Sequence, residues 1–166
     1  MTTPTSGAAR APRPPDPSAD RRHGAAGCIT ERRCLPTLAD LVDELTINQI
    51  KQVLLPDGRT RFGPRMEMLS HDIDLLLAAA APDLSARIVR ILVVLAQTNL
   101  HIWMLKEKAQ QDEAHYMDHL KLAHQLNGLR NRMKNALLDA AGDGDPAVRK
   151  SNCDLDGLEG WDVGID

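Results

Sequence analysis

An all-α fold, either a small four-helix bundle or a set of helical hairpins, is predicted by three features of the sequence. Helix-breaking residues nearly vanish from its middle: Arg65 to Ala141 holds one glycine, Gly128, and one proline, Pro82. Apolar residues recur there at spacings of three and four, the period of a helix with one buried face. Aromatics are scarce, with Phe62, Trp103, Tyr116 and Trp161 the full set, whereas sheets draw on aromatic and β-branched residues. At 166 residues and 18.2 kDa the chain has the size of one domain.

The first helix begins after Pro36. Thr37 is placed to cap it, with Asp40 three residues on, and Leu38, Leu41, Val42 and Leu45 give it an apolar face. Pro56-Asp57-Gly58 ends it. A turn rich in Arg and Gly follows, and Pro64 suits a first helical position, where a missing N–H costs nothing. Met66, Leu69, Ile73, Leu76, Leu77 and Ala80 then form the stripe of a second helix stopped by Ala81-Pro82.

The third helix runs from Pro82 with Leu84, Ile88, Leu92, Leu95, Asn99 and Ile102 on one stripe. It is apolar on nearly every side through Leu105, so it is expected to be the central, most buried element. Lys106 to Glu113 is the expected reversal, with Asp112 capping a fourth helix. The fourth stripe is His115, His119, Leu122, Leu126, Leu129, Met133 and Ala136. One continuous helix over 83–140 is the alternative, since nothing between Lys106 and Glu113 strictly breaks a helix. At ~60 residues it would reach ~90 Å and need partners to cover it, so a monomer favours the hairpin.

The flanks differ in composition. Six of the ten prolines lie at or before residue 36, among Ser, Thr, Gly and Arg, so 1–35 is expected to be a disordered Pro/Arg-rich arm. The helical domain then spans 36–141. From 142 to 166 the chain is acidic and Gly-rich, an expected flexible tail in which Leu155, Leu158, Trp161 and Ile165 alone can dock. The net charge of −3 divides unevenly: residues 1–36 carry six Arg against three acids, and 37–166 carry fourteen Lys/Arg against twenty. An acidic folded part argues against nucleic acid as the partner. Ile88 to Leu105 contains Arg90, Gln97, Thr98, Asn99 and His101, a costly set in lipid, and the first thirty residues hold no apolar signal core. A cytoplasmic protein without membrane contact is expected. Cys28, Cys34 and Cys153 form no C-x-x-C pair, and no disulfide scaffold is expected.

Asn99 is the most informative residue. It occupies a core position between Leu95 and Ile102, where an amide without partners costs ~1–3 kcal/mol. Trp103 and Glu107 follow it at four-residue steps on the same face. On the fourth helix Asn127, Arg130 and Asn131 gather beside the Leu126/Leu129 stripe. These six residues form the expected polar network of the core, either fixing helix register or lining a small binding cleft. Glu107, His115 and His119 are the candidate ligands of a divalent metal ion, because His at i and i+4 converge on one side of a helix. The chain nevertheless lacks any Glu-x-x-His, the signature of bundle di-metal sites. Gly-rich phosphate loops, G-x-S-x-G elbows and catalytic Cys-His pairs are likewise absent from the sequence.

In its Asn99-x-x-x-Trp103-x-x-x-Glu107-Lys108-Ala109 block and its later Leu126-Asn127-x-x-Arg130-Asn131 block, the chain resembles an uncharacterised all-helical bacterial family, a domain of unknown function. The resemblance covers about 90–140. Lys106 stands where the family has Glu, and Gln110 where it has Arg. The resemblance implies a helical fold and no reaction. Together these readings point to a non-enzymatic helical interaction or accessory protein, acting through helix faces and flexible arms on a protein partner or as a homodimer, without a cofactor. The alternatives are a small-ligand or metal-binding helical protein using Glu107, His115 and His119, an enzyme among them, and a nucleic-acid accessory factor led by the basic arm.

Overall fold

The computed structural model describes residues 35–80, 84–143, 145–158 and 163–164, and the expected 1–35 arm, Trp161 and Ile165 lie outside them apart from Leu35. Among the described residues there are four α-helices and no strand: α1 Leu38–Leu54, α2 Gly58–Ala80, α3 Ala86–Gln111 and α4 Tyr116–Ala140. Short 3₁₀ turns occupy Glu113–His115 and Pro146–Val148. α3 and α4 form one extensively packed hairpin, α1 and α2 another, and α1 also touches both helices of the first. The core cluster draws on Leu41, Leu69, Ile91, Leu95, Leu126 and Leu129, so every helix contributes.

Local chemistry sets the boundaries. Thr37 adopts an extended backbone and its hydroxyl accepts the Asp40 N–H at 3.1 Å, the expected cap. The reversal between α3 and α4 also falls where expected. α3 stops at Gln111, and Asp112 accepts the His115 N–H across the following 3₁₀ turn.

The second helix departs from expectation, because it starts at Gly58 and carries Pro64 in its interior. Asp57, with φ of 55°, turns the chain so sharply that a side chain at Gly58 would strike the Lys51 and Gln52 carbonyls. Helix therefore begins directly after that turn, and Phe62 in its early part takes Lys51 and Arg61 over its ring at 5.6 and 5.3 Å. The interior proline is tolerated against its usual cost.

The third helix is the larger correction. Ile91, Leu95, Thr98, Asn99, Ile102, Leu105 and Ala109 are buried, yet Val89, Val93, Leu100 and Met104 are 37–49% exposed, and Leu84 is 80% exposed. Leu95, Asn99 and Ile102 hold their expected places, while Ile88 and Leu92 are only half-buried. A helix that is apolar all round does not announce which side its neighbours will cover, and α3 has one tight partner, α4. By length and composition α3 would pass for a membrane span, with a mean hydropathy of 1.6 over its best window.

The stripes of α2 and α4 drift for the same reason. Leu69 and Ile73 are buried on α2, but Leu76 and Leu77 are open. Leu126, Leu129 and Met133 are buried on α4 as expected, joined by Lys134, Leu137 and Leu138, while His115 precedes the helix and is exposed.

Among the described residues after Gly142, 145–158 form a strap along α4, where a loose tail was expected. Leu158 is buried, and Val148, Leu155 and Val163 pack on the core. Side-chain amides of α4 hold its main chain: Gln125 donates to the Asp156 carbonyl at 2.8 Å, Asn131 to Asn152 at 2.7 Å and Asn135 to Lys150 at 2.9 Å. Gly128 faces the Asp154 carbonyl so closely that a Cβ would run into it. Composition marked this stretch as poor in core-forming residues, but main-chain bonding to α4 needs none.

Candidate functional site

Asp43 is the centre of the polar core, and sequence reasoning passed over it. Its carboxylate accepts two bonds from Arg130 of α4, Nε to Oδ1 at 2.8 Å and Nη2 to Oδ2 at 2.6 Å. Lys134 Nζ, one turn further along α4, reaches Oδ2 at 3.1 Å, and Asn99 Nδ2 of α3 reaches Oδ1 at 2.9 Å. Three helices meet on one side chain. The Asn99 amide also donates to Thr46 Oγ1 at 2.7 Å, and that hydroxyl donates to the Asp43 carbonyl at 2.8 Å.

Lys134 continues the network outward to Asp40 at 2.7 Å, where Lys150 of the strap arrives at 3.1 Å. Burial pushes the Asp43 carboxyl up, but the bonds from Arg130 and Asn99 and the nearby cations outweigh it and hold the acid below its ordinary value. The Asp40 carboxyl is lowered likewise: burial raises it, and bonds from Lys134, Lys150 and Thr37 more than reverse that. Every buried side-chain nitrogen and oxygen among the described residues has a partner.

The expected network residues are therefore divided. Asn99 and Arg130 meet on Asp43, and Asn127 joins through its own carbonyl oxygen, which accepts Arg130 Nη1 at 3.3 Å. Asn131 serves the strap instead. Trp103 and Glu107 form a separate pair, the indole N–H donating to the Glu107 carboxylate at 2.8 Å in an exposed position. The missed signal was complementary spacing: acids at Asp40 and Asp43 on one helix, cations at Arg130 and Lys134 on another, each pair within one turn.

The candidate metal ligands also part company. Glu107 is engaged by Trp103, whereas His115 and His119 turn to Asp112, at 3.0 and 3.6 Å from its Oδ2. Among the described residues no group of three His, Cys, Asp or Glu is placed to hold a metal ion.

Chemically, the Asp43 centre is a satisfied ion cluster: Asp43 itself is 4% exposed and its carboxylate has all its partners in place. Thr46 ties it to an apolar surface feature. Its side chain stands in the wall of an apolar groove of about 650 Å³ between α1, α2 and α3, lined by Val42, Leu45, Ile73, Leu77, Ile88 and Val93 among others. A smaller apolar hollow, lined by Ile50, Ala96 and Leu100, continues past Thr46 along α1 and α3.

Comparison with family models, with curated proteins and with solved structures finds no match for this chain.

Proposed function

We propose that the protein is a non-enzymatic helical interaction protein whose working surface is the outer side of α3 together with the groove beside it. One observation carries the reading: Val89, Val93, Leu100 and Met104 follow each other at helical spacing on the side of α3 opposite its core stripe, all substantially exposed. Isolated apolar residues on a surface need no explanation, but a contiguous apolar strip on a soluble domain marks a contact site. The charged centre supports the reading from the other side. It holds α3 in register against α1 and α4, so the outer strip is presented on a rigid element, and it spends its polar groups on each other.

A photo-crosslinking residue placed at position 93 or 100 of the full chain, in the cells that make it, tests this. Both positions are expected to trap a defined protein species, while the same residue at exposed position 121 on α4 traps none. Absence of any trapped species from 93 and 100 overturns the proposal.

A further inference from the structure

Positive charge in the folded domain is concentrated where α1 turns into α2. Residues 45–66 carry Lys51, Arg59, Arg61 and Arg65 against Asp57 alone, whereas the rest of 37–166 carries ten Lys/Arg against nineteen acids. The bundle engages Arg65, Arg130, Lys134, Arg149 and Lys150 with carboxylates. Lys51, Arg59 and Arg61 have no carboxylate partner among the described residues, and Lys51 and Arg61 lie over the Phe62 ring instead.

The same tip shows apolar side chains to solvent. In the last turn of α1, Val53 is 68% and Leu54 46% exposed, so neither is used by the packing of the bundle. Seven of the nine residues from Val53 to Arg61 are exposed, and the turn therefore stands clear of its neighbours. Cations without acids and aliphatic groups without cover thus share one chain reversal.

We infer that this tip docks on a bilayer surface bearing anionic headgroups, a contact separate from the outer side of α3. Such a surface holds phosphate charge directly above hydrocarbon. Lys51, Arg59 and Arg61 face the phosphates, while Val53 and Leu54 enter the boundary between headgroups and acyl chains. Nucleic acid supplies the charge without an aliphatic seat. An acidic protein would need a hollow cut to this turn, whereas a fluid bilayer accepts a protruding turn of any outline. The acidic remainder of the domain is repelled by the same surface, so its field turns the tip toward the lipid. The polar groups that make a span through α3 costly do not weigh against a contact confined to the headgroup layer.

Co-sedimentation of the full chain with vesicles is the test, equimolar phosphatidylglycerol and phosphatidylcholine against phosphatidylcholine alone. The wild type is expected to sediment with the anionic vesicles, less so as salt rises, and to stay in solution with the neutral ones. Each cation near an anionic surface strengthens binding about fivefold, so R59Q/R61Q is expected to bind about 25-fold more weakly. V53S/L54S is expected to weaken binding too, while R87Q/K121Q, which removes two exposed cations from α3 and α4, leaves it unchanged. Every variant is expected to keep the wild-type circular dichroism spectrum. Because Arg61 lies against Phe62, Arg59→Gln alone, about fivefold weaker, answers the question if the double variant misfolds. A wild type that the anionic vesicles leave in solution overturns the inference, as does equal binding to neutral vesicles or binding indifferent to R59Q/R61Q. So does V53S/L54S binding as the wild type does, which would make the contact one of charge alone. Tighter binding to an oligonucleotide than to the anionic vesicles, read by fluorescence anisotropy, assigns the tip to nucleic acid and overturns it as well.

Discussion

Replacing Asp43 by asparagine keeps the volume of the side chain and deletes the charge on which three helices converge. The carboxylate accepts two bonds from Arg130, one from Lys134 and one from Asn99, and an amide there turns two of its own donors toward those donors. Removing one partner of a buried ion pair costs ~3–5 kcal/mol, mostly because the other charge is left stranded. Two features place this case at the lower end. Lys134 keeps Asp40 at 2.7 Å, and the Arg130 side chain, 26% exposed, can recover some hydration. A loss of about 3 kcal/mol follows, which in a domain of this size lowers Tm by roughly 10 °C. Urea denaturation followed by circular dichroism at pH 7 measures it directly. A loss under ~1 kcal/mol, the range of solvent-exposed pairs, would refute the assignment of Asp43 as the centre of the fold.

Further outcomes follow from the same geometry. Asp40 and Asp43 both titrate below the ordinary carboxyl value of 3.8 in the folded chain. The stability they lend is therefore complete above about pH 4 and is lost as pH falls further, and Asp43→Asn flattens that acid limb of a stability–pH curve. Gly128→Ala drives a methyl group into the Asp154 carbonyl. Because that neighbour is backbone, the strap gives way despite the ~1 kcal/mol that alanine adds to helix propensity, and limited trypsin digestion should cut after Lys150 sooner than in the wild type. Thr37→Ala removes the α1 cap and is expected to cost about 1 kcal/mol in the same urea assay. Pro64→Ala restores a helical N–H in the interior of α2 and should raise stability by about 1–2 kcal/mol, part of the ~3 kcal/mol helical cost of proline being offset by a more flexible unfolded chain.

The helices themselves were legible because local rules decide them. Thr37 with Asp40 marked a start, Pro56-Asp57-Gly58 marked an end, and the polar stretch after Lys106 marked the reversal. What was not legible depends on neighbours. Leu92 and Ile91 are equally apolar on paper, and only the approach of α4 decides which of the two is buried. Pro64 read as a start because proline is safest there, but the tight turn at Asp57 left helix as the natural continuation. Asn99 was recognisable as an amide in an apolar stripe, and its burial follows from the partners it found on α1. Asp43 escaped notice because it lies on the side of α1 away from the Leu38–Leu45 stripe, on a second buried line through Ala39 and Ile50. Trp103 and Glu107 follow Asn99 at four-residue steps, but each step advances about 40° around the helix, so Trp103 is only half-buried and Glu107 is exposed.

The strap shows a different limit. Leu155 and Leu158, marked in the sequence as able to dock, do pack on the core, but much of the strap's hold on α4 lies in main-chain carbonyls, which every residue carries and composition does not announce. The signal was on the other side, in Gln125, Gly128, Asn131 and Asn135 spaced along one line of α4.

Hydrogen exchange of the Asn99 side-chain amide, followed by nuclear magnetic resonance, probes the buried centre on which α3 depends. Its two protons are expected to exchange only through unfolding of the domain, slowing by the same factor as the core backbone amides of Leu95 and Leu126. Exchange at the rate of a solvent-exposed amide would mean that Asn99 does not reach Asp43 and Thr46, and that α3 is not held in the register that turns Val93 and Leu100 outward.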